Sequence, residues 1–349
     1  MIKDKTQQQE SGDNSANYQA ETINQYGLSY RDAKEIALDV FRENFTSLSE
    51  QARNIAKERA EELVDSFLNE VKEKNPDLLN TVQEPSMQLA LYSAQKSYVK
   101  TGDKDVADLL VDILVDRAEQ TERNLKQIVL DESLEVVPKL TNEQLDILTI
   151  VFVIKYSINN GLVNLETLKE YLETCIKPFT DGLTKENSAY QHLEYCNCGT
   201  VSVLGNSIEA IFLANYKGVF CKGIVTEECL KEYGNILRFP HLLTSCLHDR
   251  TKLQINAIND DVLKEQISRY GLSEEESQKL TSLFASNVMN ESEVKEYLSK
   301  QGDFMVNLLD VWQNSSMRVM TITSVGIAIA QANYKRKTGQ SIDLSIWIK

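Results

Sequence analysis

From Ser29 onward, apolar residues recur in steps of three, four and seven. They fall at Ile36, Val40, Phe41, Phe45, Leu48, Ala52, Ile55, Ala56, Leu63, Phe67 and Val71, with charged runs such as AKERAEE between them. That spacing gathers the apolar positions on one face of an α-helix and leaves the charges on the other. Ser29 followed by Asp32 supplies an N-terminal cap in which an acid replaces the usual Glu or Gln. Read as unbroken from Tyr30 to Lys74, this helix would be about 65 Å long. Pro76 ends it.

The helical pattern continues for most of the chain. A second helix is expected over 87–100, then a turn at TGDKD (101–105). A third is expected from Val106 to about Leu134, with Leu109, Leu110, Ile113, Leu114, Leu125, Ile128 and Val129 facing inward. After Pro138, Thr141 and Gln144 form a capping box. The strongly apolar helix that follows, 145–158, belongs at the centre of the core, and another runs over 165–175 to Pro178. Residues 179–205 are turn-rich, with a short strand expected at 200–204. Further helices are expected over 207–216, 227–233 and 260–270, and after the Ser273–Glu276 cap. The chain closes as a strand containing MTIT, a helix from about Ser324 through Lys335, a turn, and an alternating strand over 342–348. No fixed-period repeat is present.

These elements predict a mainly α fold, a multi-helix bundle with an N-terminal β-prone arm and a small mixed α/β, winged-helix-like C-terminal unit. The expected division is a disordered leader over 1–10, the arm over 11–28, an all-helical domain over 29–180, and a mixed, mostly helical domain over 181–349 ending in a β-return.

The segment SGDNSANYQAETINQYGLSY (11–30) breaks the helical pattern. It alternates imperfectly, as a strand does, yet it is short and polar, and an isolated strand or hairpin is marginal in water. It therefore needs other strands, and a second copy of the chain is the simplest source. Asn and Gln side chains satisfy one another when identical chains stack in register. This reading makes the protein a homo-oligomer. Association is assigned to Asn14, Asn17, Tyr18, Gln19 and Ile23, backed by Ile36, Val40 and Phe41. The competing readings are an unstructured tail that ends at the Ser29 cap, and docking onto a different protein.

Charge narrows the partners. With 37 basic and 52 acidic residues the net charge is −15, which disfavours polyanions as a general target. Only 14 Gly and 5 Pro argue against an all-β or loop-rich fold. The N-terminus lacks the apolar core of a signal peptide. The apolar runs 145–158 and 317–332 fall short of the roughly 20 residues a membrane span needs. Six Cys without a small-scaffold spacing read as reduced thiols, so the expected location is cytoplasmic and away from membranes.

Candidate chemistry is sparse. His192, Cys196 and Cys198 form H-x3-C-x-C, and Cys246 with His248 forms C-x-H; these are the residue types zinc prefers. Their spacing lacks the two-residue knuckle, and free Cys is more often a small buried hydrophobe, so no cofactor is the primary expectation and zinc the alternative. Cys196 with His241 or His248 would make a nucleophilic dyad. No phosphate-binding glycine loop occurs. Gly326, inside an expected helix, reads as a close contact between elements. Asp112 with Asp116 and Glu61 with Glu62 read as solvated helix faces. Tyr334, Lys335, Arg336 and Lys337 on the winged-helix-like unit would be the nucleic-acid contact, although cations at a helix end also suit the helix dipole.

The N-terminal stretch GDNSANYQA with GLSYRDAKEIALDVFRENF resembles leaders found on various bacterial proteins, several of them encoded near anti-phage defence genes. Together with LLVDILVDRAEQ, VPKLTNEQLDILTIVF and ITSVGIAIAQAN…IDLSIWI, the chain resembles an uncharacterised bacterial helical family. That resemblance implies a conflict-related or regulatory role and carries no catalytic residues. The expected function is a non-enzymatic, self-associating interaction or scaffold protein, as a sensor or effector component of anti-phage defence. An enzyme or zinc protein built on the Cys/His residues, and a nucleic-acid-binding regulator, are the alternatives.

Overall fold

The N-terminal apolar repeat forms two helices rather than one rod. The computed structural model describes residues 28–44, 49–227, 239 and 241–349. Helix α1 (Tyr30–Asn44) opens at Ser29, whose hydroxyl accepts from the Asp32 amide at 3.2 Å and donates to the Asp32 carboxylate at 2.7 Å. Helix α2 (Glu50–Lys74) runs back along it. Tyr30 and Lys34, early in α1, both reach Asp65 late in α2, while Phe41 packs on Ala56 and Ala60. The periodic stripe is the same in either arrangement, but folding back lets each helix bury its stripe on the other. Packing of an amphipathic face supplies most helical stability in proteins.

After Pro76 and a 3-10 stretch (Pro76–Gln83) come α3 (Pro85–Thr101) and α4 (Lys104–Ala118), joined through Gly102 at φ +64 and the Asp103 cap. The helix expected over 106–134 is two helices. Asn124 accepts from the Gln127 amide and starts α5 (Leu125–Val136). The restart turns the face, so Leu125 and Ile128 are 51% and 46% exposed while Val129, Leu130 and Leu134 are buried.

Helix α6 (Asn142–Lys155) starts at the expected Thr141–Gln144 capping box, and every residue from Gln144 to Ile154 is buried. Next come α7 (Leu165–Tyr171), continued by a π turn to Ile176; α8 (Asn187–Tyr195); β1 (Gly199–Val201); and α9 (Ile208–Tyr216). The sequence pattern gives no sign of α8, because NSAYQHLEY is short and polar. Strands β2 (Ile224–Val225), β3 (Leu243–Ser245) and β4 (Lys252–Ile255) form an antiparallel sheet in the order β2–β4–β3. The helix expected over 227–233 falls almost wholly outside the described residues. Helices α10 (Asp260–Tyr270), α11 (Glu274–Ser286), α12 (Glu291–Ser299) and α13 (Asp303–Asn314) lead to β5 (Met320–Ile322) and α14 (Ser324–Thr338). The Ser273–Glu276 capping box is present at α11.

The main core runs from Ala33 to Ile348. Its centre is the crossing of α14 over α6, and α14 also packs on α4 and α5. All residues of α14 from Gly326 to Tyr334 are buried. The core therefore passes through residue 180 without a break. The separate unit is the small cluster of Ile224, Leu242, Ile255, Leu263, Leu280 and Phe284 around the three-stranded sheet. Among the described residues no helix is long and apolar enough to cross a membrane.

The winged-helix-like ending does not form. Strand β5 pairs antiparallel with β1, Gly199 opposite Ile322 and Val201 opposite Met320. The segment expected as a closing strand holds a 3-10 turn, Leu344–Ile346, capped by Asp343. Its alternation reflects anchoring instead. Leu344 and Ile348 are buried, the Ile342 carbonyl accepts from Gln331, and the Trp347 indole donates to the Tyr156 carbonyl at 3.1 Å.

Gly326 makes the close contact its place in the sequence suggests. A Cβ there would sit 2.0 Å from the Cys198 carbonyl oxygen, a group already fixed by the Thr323 amide at 3.0 Å. Gly326→Ala should therefore cost about 2–3 kcal/mol by forcing α14 off β1. Urea unfolding of the two proteins measures this, and a loss below about 0.5 kcal/mol would show that the crossing yields easily.

Candidate functional site

Asn14, Asn17, Tyr18, Gln19 and Ile23 lie outside the described residues, as does the side chain of Val40. Ile36 packs half-buried on the main core. Phe41 is 3% exposed and held within the chain by Ala56 and Ala60. It thus packs between α1 and α2.

The Cys and His residues fall into two separate groups. On α8, His192 Nδ1 lies 3.0–3.1 Å from the Gln144 side-chain amide, and its Nε2 lies 3.7 Å from Cys196 Sγ. The spacing of His192 and Cys196, four residues apart, brings them onto one helix face. The histidine beside Cys196 is therefore His192, not His241 or His248. The thiols are poorly set for nucleophilic work. Burial pushes Cys196 upward and Cys198 to about 12, whereas the thiolate is the reactive form. Cys246 and His248 lie apart from that group: Cys246 Sγ lies 3.5 Å from the Cys221 carbonyl, and His248 Nε2 lies 2.8 Å from the Val219 carbonyl. Each of these contacts is made to backbone. Among the described residues, no group of three or more His, Cys, Asp or Glu is placed to hold a metal ion.

The C-terminal cations are bound inside the chain rather than offered to nucleic acid. Lys335 pairs with Asp112 and lies 3.7 Å from Glu70; Arg336 meets Asp105 at 2.7 Å; Lys337 meets Asp146 at 2.7 Å and the Pro178 carbonyl at 3.1 Å. Asn333 joins them, donating to Asp146 and Thr149 and accepting from Arg336. Tyr334 is buried, its hydroxyl 2.9 Å from Gln340 Oε1. Asp112, expected from the sequence to be solvated, is only 9% exposed. Burial pushes both Asp112 and Asp146 above the usual carboxylate range, and Lys335 and Lys337 offset part of that shift. Asp112 in turn raises Lys335.

A different, partly buried cation escaped sequence reasoning. Lys155, at the end of α6, donates to the carbonyls of Met317, Arg318 and Met320 at 3.3, 2.8 and 2.7 Å and sits over the Trp312 ring. Burial lowers it to about 8. It fastens the turn that leads into β5.

Two surface features bear on binding. Tyr195, Val203 and Leu204, within one ten-residue stretch around β1, are 83%, 93% and 87% exposed. The second feature is a cavity of about 510 Å³ between the end of α6, α7, α14 and the C-terminal tail. Tyr171 and Tyr334 line its floor, and Ile158, Ile342, Ile346 and Trp347 its sides. Residues so far apart in the sequence give no local signal, and the tail that closes the cavity has the alternation of a strand.

The Asp112–Lys335 pair generates a test of the C-terminal network. Lys335→Met should lower stability by about 1–3 kcal/mol at pH 7, because it strands a mostly buried carboxylate while Lys335 itself is partly solvated. Asp112→Asn added to it should restore at least half. The folded-state pKa of Asp112 lies above its unfolded value. Its favourable contribution is therefore complete below the ordinary carboxylate range and is lost as pH rises through the raised pKa. The single-variant penalty should shrink as pH falls from 7 toward 5, measured by urea unfolding; a penalty that grows on acidification would contradict this account.

No curated protein and no solved structure matches the chain. A family model, whose description names no activity, matches residues 27–348. The chain thus belongs, over nearly its whole length, to that uncharacterised family.

Proposed function

We propose that this protein is a non-enzymatic, self-associating interaction component that works in the cytoplasm without a cofactor. The observation that carries the reading is the exposure of Tyr195, Val203 and Leu204 on a braced segment. The Ser202 amide and hydroxyl both donate to the Val319 carbonyl, at 3.0 and 2.7 Å, and the Val201 amide donates to Glu194 at 2.6 Å. Large apolar side chains on a fixed backbone lose little conformational entropy when covered, and clustered exposed apolar surface marks interaction sites. A second copy of the chain is the proposed cover, aided by strand pairing of residues 11–28. The likeness of the N-terminal stretch to leaders encoded beside anti-phage genes supports a sensor or effector role in phage defence.

Light scattering after size exclusion tests this. The full chain should exceed its 39.6 kDa monomer mass by a whole-number factor. A chain starting at Gly27, and a Val203→Asp/Leu204→Asp variant, should each shift toward monomer. A full-length chain that elutes as a monomer at tens of micromolar would refute self-association.

A further inference from the structure

We propose that the cavity between α6, α7, α14 and the C-terminal tail is a binding site for a small, uncharged, mainly apolar molecule, aromatic or similarly flat, carrying a hydrogen-bonding group. This inference goes beyond self-association and does not rest on it. Its first support is size, because about 510 Å³ lies within the range of small-molecule sites. The second is composition. None of the lining residues is charged, although 26% of the chain is Asp, Glu, Lys or Arg. A cation or anion entering would leave water without a compensating partner, so the lining selects for neutral molecules.

The polar groups present are few and divided by role. The inner ones are engaged with each other. Tyr334 binds Gln340 and Cys175, and the Asn159 amide donates to the Tyr216 hydroxyl, which also hydrogen bonds Tyr171. These bonds hold the floor side chains in place. At the rim, the Asn160 side chain and Gln340 Nε2 make no hydrogen bond among the described residues, so an amide donor and an amide acceptor remain for a ligand. Ile158 and Ile346, 53% and 62% exposed, both line the cavity, one after α6 and one in the tail. Their exposure costs apolar hydration in the empty protein, and a ligand that covers them removes it. The Trp347 indole N–H is already bound to the Tyr156 carbonyl, so its ring is held in place.

Titration of the full-length chain with N-phenyl-1-naphthylamine tests the site. This neutral dye brightens in apolar surroundings and accepts energy from nearby tryptophan. Saturable binding of one dye per chain, with energy transfer that drops in Trp347→Phe, is the expected result. Ile158→Lys and Ile346→Lys, both at exposed positions that leave the melting curve in place, should each weaken binding about ten-fold or more. The Val203→Asp/Leu204→Asp variant should bind as the parent does, whatever its mass. Anilinonaphthalene sulfonate, similar in shape but anionic, should bind at least about ten-fold more weakly. Absent saturation, unchanged affinity in both lysine variants, loss of binding in the Val203/Leu204 variant, or equal affinity for the sulfonate would each overturn the proposal.

Discussion

The crossing of α14 over α6 is the contact on which the other elements depend. Neither helix keeps a polar face, so neither is stable until the other covers it. Close approach is possible because Gly326 presents no Cβ to the Cys198 carbonyl, and this ties α14 to the β1–β5 pair at its start. Further along, Thr149 and Asp146 of α6 receive Asn333 and Lys337. An apolar crossing alone would tolerate sliding by a helical turn. Polar groups that must be matched inside the core select one register, since a slip would leave each of them unpaired at about 1–3 kcal/mol.

The same geometry explains why the cations after Asn333 are not a surface patch. Lys335, Arg336 and Lys337 follow a fully buried stretch, so they emerge from the core beside α4 and α6 and meet Asp112, Asp105 and Asp146. The pairing does not fully offset the cost of burying the two more enclosed acids, Asp112 and Asp146, whose pKa values stay raised despite a lysine at contact distance. These pairs hold orientation more than they add stability.

Local rules were legible in the sequence and non-local ones were not. The caps at Ser29, Thr141 and Ser273 all formed as expected, because each is decided within four residues. The periodic stripe identified helices correctly but not where they fold back. An amphipathic pattern continues in phase through a hairpin, as it does from Phe41 to Ala56, and the polar run from Glu119 to Asn124 that separates α4 from α5 reads as well as a solvated helix face. The closing IDLSIWI alternates because Leu344 and Ile348 bury while Ile346 does not, and a tail anchored at alternate residues leaves the same trace as a strand. The Cys/His grouping failed for a similar reason, since proximity in sequence put Cys246 with His248 but gave no indication that each would bond to a backbone carbonyl, Cys221 for one and Val219 for the other.

That anchored tail also accounts for the cavity. Gln331 holds the Ile342 carbonyl and Tyr156 holds the Trp347 indole, so the tail is pinned on both sides of the 3-10 turn and bridges the gap between its anchors. The 3-10 turn leaves Ile346 62% exposed at the edge of the cavity, while Leu344 and Ile348 to either side are buried. The walls are then what the ends of α6, α7 and α14 present there, aromatic and aliphatic side chains together with Ser157, Asn159, Asn160 and Gln340. Lys335, Arg336 and Lys337 find their carboxylates at Asp112, Asp105 and Asp146, none of which lines the cavity, so the lining stays uncharged and suits a neutral guest.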